Sequence, residues 1–366
     1  MIVKGDKILP KLSGPILLIQ LGDIGDVVLT MPAIRALHEN FPKHRLIVCV
    51  HEKARELIED CPWADDIISV NKKKRSLRDI FLYQKDFFRT LRGGKISWAI
   101  DLRHGTRGAA IAFLSGAYYR LGRYAGDGWL WRNRLFTHLV EPENEIEQYS
   151  AEHNFNIIEH MGLRIGNRRP ELIVSPERRA SASTILNWTG IQTTDSLIAF
   201  HPFSLWKYKE LGVNLCVELV DYLSEKYRFP VIITGSQEER RRAGEVIEKS
   251  RGRVFNLAGK TSIGELCGIL QACRMFIGVD TAALHIASAV GTPTIGIFGP
   301  SSPVSWAPRG ENHLVVQKNM PCVPCRPKGC HDSGTSLCLN RLRLEELKEN
   351  VEKMIHKLGL IEPGSH

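Results

Sequence analysis

The sequence alternates short, almost continuously apolar runs with longer amphipathic stretches, and this alternation occurs twice. Residues 16–21 have the composition of a buried strand, and residues 27–37 have the apolar spacing of a helix. The same alternation restarts near residue 197. Continuous apolar strands separated by helices are typical of a parallel sheet that is covered on both faces. Strands are predicted at 16–21, 46–50, 66–70, 98–102, 197–201, 231–234, 254–257, 276–279 and 294–298.

Two successive series of this kind predict an α/β protein with two Rossmann-like domains facing each other across a cleft. The length of 366 residues suits two domains. A less regular stretch at 167–194, which is interrupted by prolines, puts the predicted boundary near residue 175. The predicted domains are therefore 1–175 and 176–343. A C-terminal helix is predicted at 344–358, with an apolar stripe suited to packing. Packing of this helix back on the first domain is one possible arrangement.

The charge of the chain is concentrated in one stretch. Lys and Arg total 49 against 40 Asp and Glu, which gives a formal net charge of +9. Residues 67–134 hold 15 basic and 4 acidic residues, a net charge of +11, so the rest of the chain carries −2. Since net charge bears on partners rather than fold, an anionic partner is expected: nucleic acid, a membrane surface or a phosphorylated substrate. No apolar run reaches the ~18–20 residues of a membrane span and no signal peptide is apparent, so a cytoplasmic protein is expected.

The first candidate site follows the first predicted strand, where Gly22 and Gly25 alternate with Asp23 and Asp26. The loops at the carboxyl ends of parallel strands are where such folds bind ligands. The motif is not G-x-G-x-x-G, and its acidic residues do not suit a pyrophosphate. A carboxylate at the start of a helix can act as a general base or simply cap the helix. The residues alone leave both roles open.

Three junctions in the second half have the same placement after a predicted strand. Residues 201–209 offer lysines and a serine for a phosphate, although in isolation a solvated basic loop is the favoured interpretation. Residues 233–240 offer an acidic side chain for ribose hydroxyls. At 276–287 a strand leads into a helix whose free N–H groups could meet an anion. The candidate ligands at these junctions are Ser204, Lys209, Gln237, Glu239, Asp280, Thr281, Ala282 and His285.

Taken together and in this order, five segments resemble the ADP-heptose:lipopolysaccharide heptosyltransferases of glycosyltransferase family 9. The resemblance covers nearly the whole chain. It lies in Gly-Asp-x-Gly-Asp-x-x-x-Thr-x-Pro-Ala at 22–33, in 101–107, 201–209 and 257–261, and in 278–281 with His285. It implies a GT-B fold and an inverting transfer, with no metal or other cofactor, of heptose from ADP-heptose to a hydroxyl of the lipopolysaccharide inner core. Residues 201–211 look most like the branch that adds a side heptose.

The resemblance also implies roles for residues. Asp26 matches the catalytic base, Lys209 the lysine that neutralises the nucleotide phosphates, and Glu239 the acidic ribose ligand. Asp280 matches the aspartate near the sugar, Thr281 and Ala282 the backbone phosphate contacts, and His285 the histidine of the same motif. The chain departs from the family pattern at Leu205, at Leu211 and at 282–284. The implied acceptor is Kdo-lipid A or a partial core at the inner face of the inner membrane, with candidate contacts at Asp23, Arg103, His104, Arg107, Arg120 and Arg123.

Three alternatives stay open in the sequence. Cys322, Cys325, Cys330 and Cys338 could be reduced thiols, zinc ligands or disulfide partners. The basic run 72–75 with the aromatic residues after it suggests nucleic-acid binding, but those aromatics have the spacing of a helix face rather than of an exposed sheet. A GT-B enzyme that uses another nucleotide sugar is the third alternative.

Overall fold

The computed structural model of the chain describes residues 13–71, 87–89, 91–126, 130–141, 144–191, 196–325 and 328–360. The chain folds as two units, Met1–Ile173 and Val174–His366. The division falls two residues before the predicted boundary. The basic run 72–75 lies outside the described residues.

The first unit is built on a six-stranded sheet in which every neighbouring pair is parallel. Its strands are β1 Ile16–Gln20, β2 Leu46–His51, β3 Asp66–Val70, β4 Trp98–Asp101, β5 Tyr119–Arg123 and β6 His138–Val140. Its helices are α1 Ile24–Val28, α2 Met31–Asn40, α3 Glu56–Glu59, α4 Thr106–Leu114, α5 Leu130–Asn133 and α6 Ser150–His160, with single 3₁₀ turns at Glu52–Ala54 and Glu145–Glu147. The strand order is β3-β2-β1-β4-β5-β6.

The second unit repeats this plan with a second parallel six-stranded sheet. Its strands are β7 Ile198–His201, β8 Val231–Ile233, β9 Val254–Asn256, β10 Met275–Val279, β11 Thr294–Phe298 and β12 His313–Gln317. Its helices are α7 Pro176–Trp188, α8 Val213–Tyr227, α9 Arg240–Lys249, α10 Ile263–Ala272, α11 Ala282–Ala289, α12 Pro303–Trp306, α13 Leu337–Asn340 and α14 Leu344–Lys357, with 3₁₀ turns at Lys207–Lys209, Gln237–Glu239 and Cys330–Asp332. The strand order is β12-β11-β10-β7-β8-β9.

Each sheet has the strand order 3-2-1-4-5-6 when its strands are counted from its own first strand. This is the order of a Rossmann fold, and ligands bind where the order reverses, beyond the carboxyl ends of strands 1 and 4. The reversal lies between β1 and β4 in the first unit and between β7 and β10 in the second. The central strands of both sheets are buried along their whole length, as expected for a parallel sheet covered on both faces. The predicted α/β class with two Rossmann-like units is confirmed.

Several predicted elements differ from the observed ones. The single helix predicted at 27–37 is two helices, α1 and α2, because Pro32 has no N–H to continue a helix and the Thr30 hydroxyl instead donates to the Asp26 carbonyl. The irregular stretch contains α7, which Ser175 caps and Pro176 starts. Its apolar face is inconspicuous in the sequence because Ala182 and Leu186 are the only buried residues along the helix. Ala182 packs so closely on Gly268 of α10 that a Cβ there would lie 2.9 Å away.

The C-terminal helix α14 packs within the second unit. Leu347, Val351, Met354 and Ile355 are fully buried in the core that also contains Val316 of β12 and residues of α8. The apolar stripe of this helix is thereby buried in the core of the second unit. Across the described ranges, no helix combines the length and apolarity that a membrane crossing requires.

Candidate active site

The turn between β1 and α1 holds the Asp26 carboxylate in a defined place. Asp26 Oδ2 accepts a hydrogen bond of 2.8 Å from the Asp23 main-chain N–H, which closes the first turn of the helix. The same oxygen lies 2.7 Å from Nη1 of Arg103, in the loop after β4. A Cβ on Gly22 would lie 2.4 Å from this oxygen and 2.6 Å from the Arg103 nitrogen, so only glycine fits there. Asp26 therefore does take part in capping, yet 22% of its side chain stays exposed to solvent.

Hydrogen bonds from buried polar side chains fix the main chain of this turn. The Gln20 side-chain amide donates to Thr30 Oγ1 at 2.7 Å, and Asn154 of α6 donates to the same oxygen at 3.2 Å. The Gly22 N–H donates to Gln20 Oε1 at 3.2 Å. The threonine of the N-terminal motif thus has a structural role. Asp23 is exposed and forms an ion pair with Lys53, which follows β2.

The segment from the end of β4 into α4 carries three of the six predicted acceptor residues, Arg103, His104 and Arg107. It begins at Asp101, which is fully buried and whose Oδ1 accepts a 3.2 Å hydrogen bond from the Arg103 N–H. Burial raises the pKa of Asp101 to about 7, although that N–H group and the nearby Arg132, Arg103 and Arg123 oppose the shift. His104 and Arg107 are exposed in the same segment. This carboxyl end of β4 thus combines one buried acid with several cations.

Arg123 and Arg120 lie at opposite ends of β5. Arg123, at the carboxyl end, is buried; its guanidinium pairs with Glu145, and its Nε lies 3.4 Å from Nε2 of His104. Burial, together with the neighbouring arginines, lowers the pKa of Arg123 to about 10. Arg120 lies near the start of the strand, donates to the carbonyls of Leu135 and Ala117, and covers the Phe113 ring. The placement of Arg120 beside the candidate site is therefore wrong, since it anchors the other end of the sheet.

In the second unit, the corresponding reversal brings Lys209 and Asp280 together. Lys209 Nζ donates to Asp280 Oδ2 at 2.6 Å, and the lysine and aspartate side chains are 20% and 6% exposed. Ser204 is buried in the loop that leads to the lysine, and its N–H donates to Glu210 Oε1 at 3.1 Å. The sequence predicted that each of these loops holds a site residue, but it did not predict this ion pair.

Glu239 and Gln237 lie in the turn after β8. Glu239 is buried, and its Oε2 accepts a 2.7 Å hydrogen bond from the Ser236 N–H. Its Oε1 lies 3.9 Å from Arg242, which also pairs with Glu210. Gln237 is exposed. Arg242 therefore links the turn that holds the predicted ribose ligand to the loop that holds Lys209.

The remaining predicted donor residues lie where β10 leads into α11. Thr281 is the N-cap residue, and Ala282 is the first residue of the eight-residue helix. His285 is buried one turn later, with its ring 6.3 Å from that of Trp306. The free N–H groups of this helix start thus lie beside the Lys209–Asp280 pair, at the same carboxyl edge of the sheet.

Sequence reasoning missed several polar residues that touch these sites, among them Lys53, Arg132, Glu210 and Arg242. Two of them had a detectable signal, since Glu210 follows Lys209 directly and Arg242 lies one helical turn after Glu239. Nothing in the local sequence marks Arg132.

The four cysteines of the predicted zinc site differ in their exposure. Cys338 is buried, Cys325 and Cys330 are half-buried, and Cys322 is exposed. Within the described part of the chain, no three His, Cys, Asp or Glu side chains are arranged to hold a metal ion. A structural zinc at the four cysteines is therefore not supported. Burial raises the pKa of the Cys338 thiol, and the neighbouring Cys325 and Cys330 raise it further.

Comparison with known proteins agrees with the resemblance drawn from the motifs. Residues 85–335 match the model of glycosyltransferase family 9 (heptosyltransferase). Lipopolysaccharide heptosyltransferase 3 of Escherichia coli strain K12 is 23% identical over 292 residues, which are 79% of this chain and 83% of that protein.

Solved structures share the fold over nearly the whole chain. A glycosyl transferase family 9 structure from Veillonella parvula has a TM-score of 0.80 at 22% identity and covers 96% of this chain and 98% of its own. The structure of Escherichia coli ADP-heptose lps heptosyltransferase II has a TM-score of 0.77 at 18% identity, covering 94% and 99%. The predicted GT-B class is thereby confirmed, and the chain belongs to glycosyltransferase family 9, the heptosyltransferase family.

Proposed function

We propose that this protein transfers heptose from ADP-heptose to a hydroxyl group of the lipopolysaccharide inner core, with inversion and without a metal ion. Membership of a heptosyltransferase family supports the reaction class. A relative named lipopolysaccharide heptosyltransferase 3 supports the acceptor, and a structural neighbour named for ADP-heptose supports the donor.

Asp26 is the proposed general base. The observation that carries this role is a partly exposed carboxylate at the strand-order reversal, held by the Asp23 N–H and by Arg103. Asp26 takes the proton of the acceptor hydroxyl while the oxygen of that hydroxyl attacks the anomeric carbon of the heptose. The bond from that carbon to the diphosphate oxygen breaks, and ADP leaves with the electron pair. A single displacement of this kind inverts the anomeric configuration.

Lys209 and the start of α11 are the proposed partners of the departing diphosphate. Both supply positive charge where negative charge develops, which is the task a divalent cation would otherwise perform. Lys209 now pairs with Asp280, so the diphosphate must compete for the ammonium group. Glu239 Oε1, which faces Arg242 at 3.9 Å, is the proposed acceptor of a ribose hydroxyl hydrogen bond.

Arg103, His104, Arg107 and Arg123 are the proposed contacts for the anionic acceptor, a Kdo-bearing lipid A or partial core. Guanidinium groups suit carboxylates and phosphates because they donate in pairs. The net charge of +11 over residues 67–134 supports a location in the cytoplasm at the inner face of the inner membrane.

Asp26→Asn tests the proposed base. The variant should lose transfer from ADP-heptose by about 10²–10⁴-fold, since the amide cannot take a proton. Its affinity for ADP, measured by titration calorimetry, should stay within about twofold, because Asp26 belongs to the other unit. Asp66→Asn is the matched control, since Asp66 starts strand β3 and pairs with Arg45. Loss of ADP binding in Asp26→Asn, or normal transfer, would show that Asp26 only caps the helix.

The donor and the absence of a metal are tested separately. ADP should raise the melting temperature of the second unit more than UDP or GDP does, and EDTA should leave transfer unchanged. The anomeric configuration of the product, determined by NMR with a truncated Kdo-bearing lipopolysaccharide as acceptor, should be opposite to that of the donor. Stabilisation by UDP or GDP but not ADP would exclude the heptose donor in favour of another nucleotide sugar.

A further inference from the structure

Arg132 is a fully buried arginine at the carboxyl end of the first sheet. It lies on α5, between β5 and β6, with its guanidinium 4.8 Å from the centre of the Phe136 ring. Its Nη1 donates to the Arg123 carbonyl and its Nη2 to the Arg103 carbonyl, both at 2.6 Å. Its Nε donates to the Gly105 carbonyl at 3.4 Å. One side chain thus holds the main chain at the ends of two neighbouring strands.

The main chain of Arg103 is held from both sides. Its carbonyl accepts from Arg132, and its N–H donates to Asp101 Oδ1 at 3.2 Å. Asp101 and Arg132 are themselves a buried pair, with Oδ2 and Nη2 3.6 Å apart. The first turn of α4 approaches closely enough that a Cβ on Gly108 would lie 2.5 Å from the Asp101 carboxylate. The side chain of Arg103 therefore leaves a fixed main chain, and it reaches the Asp26 carboxylate at 2.7 Å.

Stability alone gives no reason for an arginine at this position. Burying a guanidinium costs free energy that its hydrogen bonds and ion pair only partly offset, and a well-packed apolar side chain would often serve as well. What an apolar residue would not provide is a rigid fork of donors that ties three carbonyls together. Those carbonyls belong to Arg103, Gly105 and Arg123, and two of these residues are proposed acceptor contacts.

We propose that Arg132 is a positioning residue for the acceptor side of the reaction. It fixes the loop at 102–105, and through that loop it holds the Arg103 guanidinium against Asp26. The inference rests on the proposed function, because it assumes that Asp26 is the base and that Arg103 and Arg123 contact the acceptor. Arg132 itself is fully buried and touches no substrate.

A double-mutant cycle tests this role. Arg132→Lys keeps the charge but loses the fork, and should lower kcat/KM for the truncated Kdo-bearing lipopolysaccharide about 10-fold while the KM for ADP-heptose stays within twofold. Arg103→Ala should lower the same kcat/KM about 10–100-fold. The double variant should fall no more than threefold below Arg103→Ala, because Arg132 acts through Arg103. Effects that multiply in the double variant, or an equal rise in donor KM, would overturn the proposal.

Arg35→Lys is the matched control. Arg35 is also buried in the first unit, pairs with Glu171 and covers the Trp63 ring at 4.1 Å, but it belongs to neither candidate site. It should leave the acceptor kcat/KM within twofold at a similar loss of melting temperature. If Arg35→Lys lowers acceptor kinetics as much as Arg132→Lys does, the effect is general destabilisation and the proposal fails.

A readout other than activity separates this proposal from the proposed function. Amide hydrogen exchange of a peptide spanning 102–105 should accelerate at least 10-fold in Arg132→Lys and stay unchanged in Arg35→Lys. If wild-type protein transfers no sugar from ADP-heptose, the proposed function fails while this exchange result still decides whether Arg132 fixes the loop. Should Arg132→Lys not fold, Phe136→Leu removes the ring beneath the guanidinium and should accelerate the same exchange. Unchanged exchange in the folded variants would refute the positioning role.

Discussion

Replacing Asp101 by asparagine should change how the stability of the first unit depends on pH. Burial raises the pKa of this carboxyl from 3.8 to about 7, so the folded protein keeps its proton over a range in which the unfolded chain has lost it. The contribution of protonated Asp101 to the free energy of unfolding is therefore fully present below about pH 4 and is lost as the pH rises through about 7. The shift is about three pKa units at ~1.4 kcal/mol each, which sets an upper bound of about 4 kcal/mol. An asparagine side chain has no such proton to lose, so the Asp101→Asn variant escapes this loss of stability.

The measurement follows β4 itself, because a chain of two units need not unfold in one step. Hydrogen exchange of a peptide covering Trp98–Asp101, corrected for intrinsic rates, gives the free energy of opening at pH 5 and at pH 8. Relative to Asp101→Asn, the wild type should lose up to about 3 kcal/mol between these values. A difference that stays constant within about 0.5 kcal/mol would refute the reasoning. A change of opposite sign would mean that the Arg132 ion pair outweighs burial at Asp101.

Two further substitutions test the sites directly. Gly22→Ala should destabilise the first unit by about 1–3 kcal/mol and abolish transfer while sparing ADP binding, because the new Cβ would lie 2.4 Å from Asp26 Oδ2 and 2.6 Å from Arg103 Nη1. Thermal melting and a transfer assay would check it, and normal transfer would contradict the geometry. Lys209→Met should weaken ADP binding about 10–100-fold by calorimetry, since it removes a charge-assisted contact and leaves Asp280 buried without this partner. A change below twofold would exclude Lys209 as a diphosphate ligand.

The sequence predicted the loops of the site but not their pairing. Strands β1, β4, β7 and β10 are all recognisable as apolar runs. The polar residues after β1, β7 and β10 are candidates because they follow these strands, whereas those after β4 are implied by the resemblance to the family. The ion pairs of Asp26 with Arg103 and of Lys209 with Asp280 depend on strand order, which places β1 beside β4 and β7 beside β10. Local periodicity carries no information on strand order, so partners this distant in sequence cannot be paired from it.

The wrong placement of Arg120 has a related cause. Arg120 is a candidate because it lies in the basic stretch 67–134, and the sequence does not reveal β5 as a strand whose two ends would separate Arg120 from Arg123. The strand reads Tyr-Arg-Leu-Gly-Arg, with charges near both ends and a glycine in the middle. Gly122 is needed because the Phe136 ring lies where a Cβ would be, 2.5 Å away. The Phe136 ring thus fills the space in which a side chain of this strand would pack, so the strand itself lacks the apolar residues by which it could be recognised.

The two ion pairs occupy equivalent places in the two sheets, yet their environments differ in a way that suits the proposed roles. The side chains of Asp26 and Arg103 are 22% and 43% exposed, so solvent screens this pair and its separation costs little. A solvent-screened pair suits an acid that keeps Arg103 beside it and still has to accept a hydrogen bond from a substrate hydroxyl. Asp280 is only 6% exposed and depends on Lys209 for compensation. A diphosphate that draws Lys209 away therefore leaves a buried carboxylate to be satisfied, and under the proposed function a hydroxyl group of the donor sugar supplies that hydrogen bond. On this reasoning ADP alone should bind less tightly than ADP-heptose, because only the complete donor brings that hydroxyl.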